Sequence, residues 1–392
     1  MLNHKRLILA ATAISLVSLT MIACKGSAEN DDSSKSKRRD DVNRSDNPKG
    51  DDREPRGSVG LRARNNDEVV VKLAKKIISD CEMVMSRWDE KTCPDYASWS
   101  EGDIFEAGAH DVTLVNLVED PEPKVRGLAA TALSRRGVQY RNEAELASRV
   151  TSALKRERNE AVARDMASAV SRIQLEKVSL TDDVLSLAAD HPLEEVRHRL
   201  TQGLLRPNGE TEKVYLFVRN AAERHQEPKM RINALEAFGM NPIRGRDADL
   251  CAMLRRVSTT DANGEVAATA VKVALQKNHD DCGAEYDAVL SHVEKLAKGG
   301  EVSSSDIPLG LRTLSKRKDI DDQLRQRTLA AAEAILANPA NDGRARGWAL
   351  RVIGESDPEG AVIAGKYASD TSRHVKEMAA DIAAGKVKVK ER

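Results

Sequence analysis

Apolar residues recur along most of this chain at the three- and four-residue spacing of an amphipathic helix. From Thr113 to Gly137 (TLVNLVEDPEPKVRGLAATALSRRG) an apolar helix runs into Asp120-Pro121. A second helix then starts near Pro123, with Val125, Leu128, Ala129, Ala132 and Leu133 on one face. The same second helix returns at Val162, Val196, Met230, Val266, Ile307, Ala345 and Val375. Successive starts lie about 30 to 41 residues apart, the period of two-helix repeats. First helices fill the intervals at 146–154, 184–189, 214–222, 250–257, 286–297, 324–336 and 361–368. One such pair cannot hide its apolar stripe alone, whereas stacking on the next pair does, so the pattern predicts a solenoid. The pattern weakens at Gly299 to Lys318, where GGEVSSSD lengthens the turn and Pro308 follows Ile307, and a distorted repeat is expected there.

The N-terminal segments do not share this period. Leu7 to Ala23 is an uncharged apolar run behind His4, Lys5 and Arg6. Such a run marks a secretory signal, although its length also suits a short membrane helix. It ends Met21-Ile22-Ala23-Cys24, which resembles the lipobox of bacterial lipoproteins, with Met21 and Ile22 where Leu and then Ala or Ser are usual. The resemblance implies cleavage after Ala23, diacylglycerol on the Cys24 thiol and a further acyl chain on the new amine. Two or three chains anchor stably where one does not. Lys25 follows in place of the Asp that retains lipoproteins at the inner membrane of some enteric bacteria, which favours the outer membrane. Residues 25–66 carry almost no large apolar side chain and cannot offset the entropy of ordering. They read as a disordered tether spanning roughly 35 Å. A lipid- or polymer-binding arm is the weaker reading, because Asp31, Asp32, Asp40, Asp41, Asp51 and Asp52 offset the basic residues around Lys37-Arg38-Arg39. The expected layout is a signal peptide at 1–23, a lipid-anchored linker at 24–66, a capping helix and loop at 67–110, repeats at 111–385 and a basic tail at 386–392.

An Asp-Pro turn followed by Val-Arg in the second helix is clearest at Asp120-Pro121 with Val125-Arg126. Partial versions stand at His191-Pro192 with Val196-Arg197 and at Asp370 with Val375-Lys376. Together these resemble the short Ala-rich kind of HEAT repeat, over roughly residues 111–385. The resemblance implies an all-α chain folded as an α-α superhelix of HEAT/armadillo type. It also implies a ladder in which the motif arginine pairs with a turn aspartate, Arg126 with Asp120 and Arg197 with Asp190. An anion-binding stripe is the rival reading of these arginines.

Composition narrows the function. Lys and Arg total 62 and so do Asp and Glu, so no electrostatic footprint for nucleic acid is present. Aromatics are only 3%, low for a β-sandwich or an α/β enzyme core. Four cysteines remain besides Cys24: Cys81, Cys93, Cys251 and Cys282. An even count in an oxidising compartment points to disulfides with three possible connectivities. Cys81–Cys93 and Cys251–Cys282 are favoured, with buried free thiols as the alternative. No G-x-S-x-G, H-E-x-x-H or phosphate-loop motif occurs. His191 and His198 read as surface histidines, and Asn278 to Cys282 as a helix-start turn rather than a calcium site. Trp88, Tyr96 and Trp99 are expected to cover the open end of the stack, a small aromatic contact site being the alternative. The expectation is a non-enzymatic, membrane-anchored envelope scaffold for an unknown protein partner, with no cofactor or metal. A bilin-lyase-like or chaperone-like activity on a protein client is the alternative that similar repeats suggest. Nucleic-acid binding is a third, opposed by export and by neutral charge.

Overall fold

The computed structural model describes residues 68–84, 87–88, 91–101, 110–134, 140–241, 246–277 and 279–387. The signal segment 1–23, Cys24, the linker 24–66 and the last residues of the tail, 388–392, lie outside the described residues. Among the described residues no helix is long and apolar enough to cross a membrane.

Among the described residues the chain is all-α apart from one short hairpin. Helix α1 (Glu68–Asp80) is followed by β1 (Met83–Val84) and β2 (Arg87–Trp88), antiparallel with Met83 opposite Trp88, and then by α2 (Pro94–Glu101). The sequence leads one to expect an N-terminal helix over roughly Glu68 to Arg87. The chain instead leaves the helix after Asp80, and Cys93 sits at the N-terminus of α2, with the structure joining it to Cys81 at a Cα–Cα distance of 5.5 Å. Segment KTCPDYASWSEGD therefore holds a helix where a loop is expected. Trp99 on that helix is fully buried, and Tyr96 is half-buried.

Among the described residues eight helix pairs follow. They are α3 (Asp111–Leu117) with α4 (Pro123–Leu133), α5 (Ala144–Arg156) with α6 (Glu160–Val170), and α7 (Thr181–Asp190) with α8 (Glu194–Gly203). After a single turn, α9 (Leu205–Asn208), come α10 (Glu212–Arg224) with α11 (Pro228–Met240) and α12 (Asp247–Thr260) with α13 (Gly264–Gln276). The last three are α14 (His279–Gly299) with α15 (Asp306–Ser315), α16 (Asp322–Ala337) with α17 (Gly343–Ser356), and α18 (Gly360–Gly365) with α19 (Arg373–Ala383). Second helices pack on the second helices before and after them and, except for α15, on their own first helix. Helix α15 packs instead on the first helix of the next pair, α16, which is where the repeat departs from the others. This is the nearest-neighbour packing of an α-α solenoid.

The second helices start where the apolar pattern places them, and Val125, Val162, Val196, Met230, Val266, Ile307, Ala345 and Val375 are all buried. Side-chain caps close several N-termini. Asn159, Asn263, Asp321 and Asp342 each accept a backbone N–H from the first turn of the helix they precede, satisfying donors that have no partner inside the helix. Small residues set the spacing between repeats. A Cβ added to Gly310 would stand 2.9 Å from the Lys272 Cα, and one added to Gly347 would stand 2.9 Å from the His374 carbonyl. Neither site has room for a side chain without moving the neighbouring backbone.

The long turn before α15 is accommodated. Pro308 occupies the first turn of the helix, where its missing N–H costs no intrahelical bond. Gly300 adopts φ +74°, a left-handed conformation that glycine tolerates best. Buried Asn341 then fixes the turn to the next repeat, accepting from the Val302 N–H at 3.0 Å and donating to the Ala297 and Ile335 carbonyls. Asn208 does the same for the link after α6, accepting from the Leu175 N–H and donating to the Ile173 carbonyl, both at 3.0 Å.

Candidate interaction surface

Six of the turns that join a first helix to its second helix carry a side-chain acceptor two residues before the second helix begins its cap. These are Asp120, Glu157, His191, His225, Asp261 and Asp370, and each accepts the backbone N–H two positions on. The motif arginines run into this slot from the preceding repeat. Arg126 on α4 donates from Nε and Nη2 to Glu157 at 2.7 and 3.1 Å. Arg231 grips Asp261 in the same two-pronged way at 2.8 and 2.9 Å. Arg346 holds Asp370 at 2.6 and 3.1 Å.

The ladder therefore differs from the expected pairs. Arg126 does not pair with the Asp120 carboxylate; it donates to the Asp120 backbone carbonyl at 2.9 Å, because that carboxylate is taken up by the Glu122 N–H. Asp190 is the exposed last residue of α7, one position short of the slot, which His191 fills. Arg197 accordingly donates to the His191 carbonyl at 2.8 Å and to Glu227 of the next repeat at 3.2 Å. With His225 in the next slot, Glu227 supplies the carboxylate that the slot lacks. At four junctions these rungs thus join a repeat to its successor, and ion pairs shielded from water in this way can set register while adding little stability.

His191 and His198 are both buried, 2% and 4% exposed, where surface positions are expected. His191 closes the repeat that has Ala163 at the arginine position. Its Nε2 lies 3.3 Å from the Leu154 carbonyl and its Nδ1 accepts from the Leu193 N–H. Burial holds both imidazoles below their ordinary pKa.

The second helices also present a polar stripe of their own. Gln202 donates to Glu236 at 2.9 Å, Lys272 lies 3.7 Å from Glu236, and Lys272 meets Asp306 at 2.9 Å. This chain crosses α8, α11, α13 and α15. At the N-terminal end the same face opens into a groove of 740 Å³ beside Tyr96, between α4, α6 and α8, lined by Lys124, Thr131, Asp165, Glu195 and Arg199. Burial pushes the Asp165 carboxyl up, against the pull of Arg164.

Toward the C-terminus Arg344, Trp348, Arg351 and Glu355 share one face of α17 by helical spacing. Glu355 is buried and accepts from Arg312 at 2.7 Å, from Arg351 at 2.8 Å, and from Lys316. Burial acts to raise its pKa, and the three cationic donors outweigh burial and bring it down to about 2. Half-buried Trp348 has the Arg351 guanidinium 5.2 Å from its ring centroid. Tryptophan and arginine are residue types enriched at protein-binding hot spots. Large exposed apolar residues elsewhere (Val69, Leu216, Met240 and Val362) stand on four different helices, and such single residues are ordinary on a surface.

Of the residues singled out in the sequence, the structure brings Cys251 on α12 to Cys282 on α14, with a Cα–Cα distance of 5.3 Å, as well as Cys81 to Cys93. Cys24 lies outside the described residues. Glu157, Glu227, Asp261 and Glu355 escaped sequence reasoning. Aligning the turns on their second helices shows Glu157 and Asp261 at the offset of Asp120 and Asp370, whereas Glu227 stands at the cap of α11 and Glu355 on α17.

No protein-family model matches the chain, and no curated protein matches it by sequence. By structure it is similar to the crystal structure of Kap121p bound to Ste12p, with 11% sequence identity and a TM-score of 0.37. That likeness takes in 80% of this chain and 40% of the other, so the chain spans well under half the length of that neighbour.

Proposed function

We propose that this chain is a lipid-anchored scaffold of the bacterial envelope, in which Cys24 carries the lipid, residues 25–66 form a spacer, and the second-helix face of the repeats receives a protein partner. The observation that carries the reading is the second-helix face itself. It runs across successive repeats and bears an open groove at one end and the Trp348–Arg351 pair at the other. A stacked array offers extended surface of this kind without a dedicated cavity. The two joined cysteine pairs support an oxidising compartment, which agrees with export. The Met21-Ile22-Ala23-Cys24 sequence supports the anchor and agrees with the outer membrane as its site.

The test combines fractionation with envelope crosslinking. The wild-type chain is expected to stay with washed membranes, and Cys24→Ser to be released from them. Crosslinked partners are expected to disappear in a Trp348→Ala/Arg351→Ala chain that still folds. A Cys24→Ser chain with its leader removed that remains on the membrane sinks the anchor. Unchanged crosslinking by the double variant sinks the assignment of the face.

A further inference from the structure

The strongest unexplained group among the described side chains is His198. It is 96% buried by its 4% exposure, and neither ring nitrogen makes a hydrogen bond of acceptable geometry. A buried imidazole in that condition costs free energy with no visible return. Its Nε2 points between two carboxylates: Glu194 Oε1 at 3.4 Å and Glu227 Oε2 at 3.6 Å. Glu194 and His198 stand one turn apart on α8, so they share a face. Glu227 occupies the cap position of α11 without using its side chain to cap. Its two oxygens divide their work, Oε1 to Arg197 at 3.2 Å and Oε2 toward His198.

We propose that Glu194, His198 and Glu227 form a divalent transition-metal site of the zinc class, bridging consecutive second helices. The three ligand atoms lie within 4.8 Å of one another. A tetrahedral zinc ion with bonds of about 2.05 Å holds neighbouring ligand atoms about 3.3 Å apart. The two separations from Nε2 are therefore close to those the ion requires, and the carboxylates need only a small closing movement. Both carboxylates are partly exposed, with side chains 56% and 44% accessible, so the ion has an entry path and water can fill the fourth position. One imidazole with two carboxylates suits zinc, whereas magnesium and calcium prefer oxygen ligands throughout.

Lys229 currently stands where a cation would be welcome. Its ammonium is 3.5 Å from Glu194 Oε1, on a side chain 63% exposed and free to swing away. It competes with the metal for the same oxygen. That competition separates a metal site from a merely structural cluster: Lys229→Ala should tighten zinc binding, while a structural role for the pair predicts no effect on zinc.

The experiment is titration of the untagged full chain with zinc by calorimetry, with cobalt as a spectroscopic probe. Expected are one saturable zinc equivalent, the visible absorption of tetrahedral cobalt, and no comparable response to magnesium. Glu194→Gln, at a partly exposed position, leaves the fold intact and should weaken zinc binding at least tenfold. His198→Asn should abolish it, and Lys229→Ala should strengthen it. Lack of a saturable equivalent, or binding that ignores both Glu194→Gln and Lys229→Ala, overturns the assignment.

Discussion

Glu355→Gln is expected to cost about 3 kcal/mol of stability at neutral pH and close to nothing near pH 2. Glutamine has the shape of a protonated glutamate, so the substitution mimics at every pH what acid does to the native side chain. The carboxyl falls from an ordinary 4.5 to about 2 in the folded chain. At 1.36 kcal/mol per unit that displacement sets the size of the effect. Solvent screening takes little from it, because the side chain is 7% exposed. The folded-state pKa is depressed, so the stabilisation is fully present above 4.5 and is lost as pH falls toward 2. Urea titrations of both chains at pH 7 and at pH 3 measure it. The gap between them should narrow on acidification, and a gap of equal size at both values would contradict the assigned role of Arg312, Lys316 and Arg351.

Loss of the Cys251–Cys282 bridge is expected to be the larger of the two disulfide effects. In the chain-entropy account, closing a loop of 31 residues stabilises by about 4 kcal/mol, and closing one of 12 residues by about 3 kcal/mol. The longer loop takes in all of α13 and ties two successive first helices together. Shorter Cys81–Cys93 ties α1 to the start of α2. Thermal unfolding of Cys251→Ser/Cys282→Ser and of Cys81→Ser/Cys93→Ser gives the order directly. Wild-type chain treated with reductant should fall to or below the weaker of them. Indifference to reductant would show that the cysteines are not paired in the protein as made.

Most of the array was legible in the sequence, because each second helix announces itself through a buried aliphatic residue in its first turn. Val125, Val196 and Val375 needed no tertiary information. Less of the ladder was readable. A motif arginine and an acid six residues upstream look like a pair along the chain, yet Arg126 meets Glu157, 31 residues away. Sequence proximity cannot show which carboxylate already serves a backbone N–H, as Asp120 does. Histidines misled for a related reason. His191 occupies the slot that Asp or Glu fills in other turns, and its burial follows from that slot rather than from local hydropathy. The end of α1 was missed because the hairpin and the Cys81–Cys93 link govern it, and both depend on residues beyond the helix. The metal-type cluster combines an i,i+4 pair with a residue of the following repeat, a juxtaposition that only stacking creates.

Stepwise truncation tests most directly whether each repeat is held by its neighbours. A chain ending at Ser356 lacks α18 and α19 and uncovers the side of α17 where Gly347 lies against His374 and Gly354 against Ile382. Nearest-neighbour stacking predicts that the remaining helices keep their helical circular dichroism per residue, with a lowered unfolding midpoint. Collapse of helicity throughout the remaining chain on removal of this one pair would contradict it.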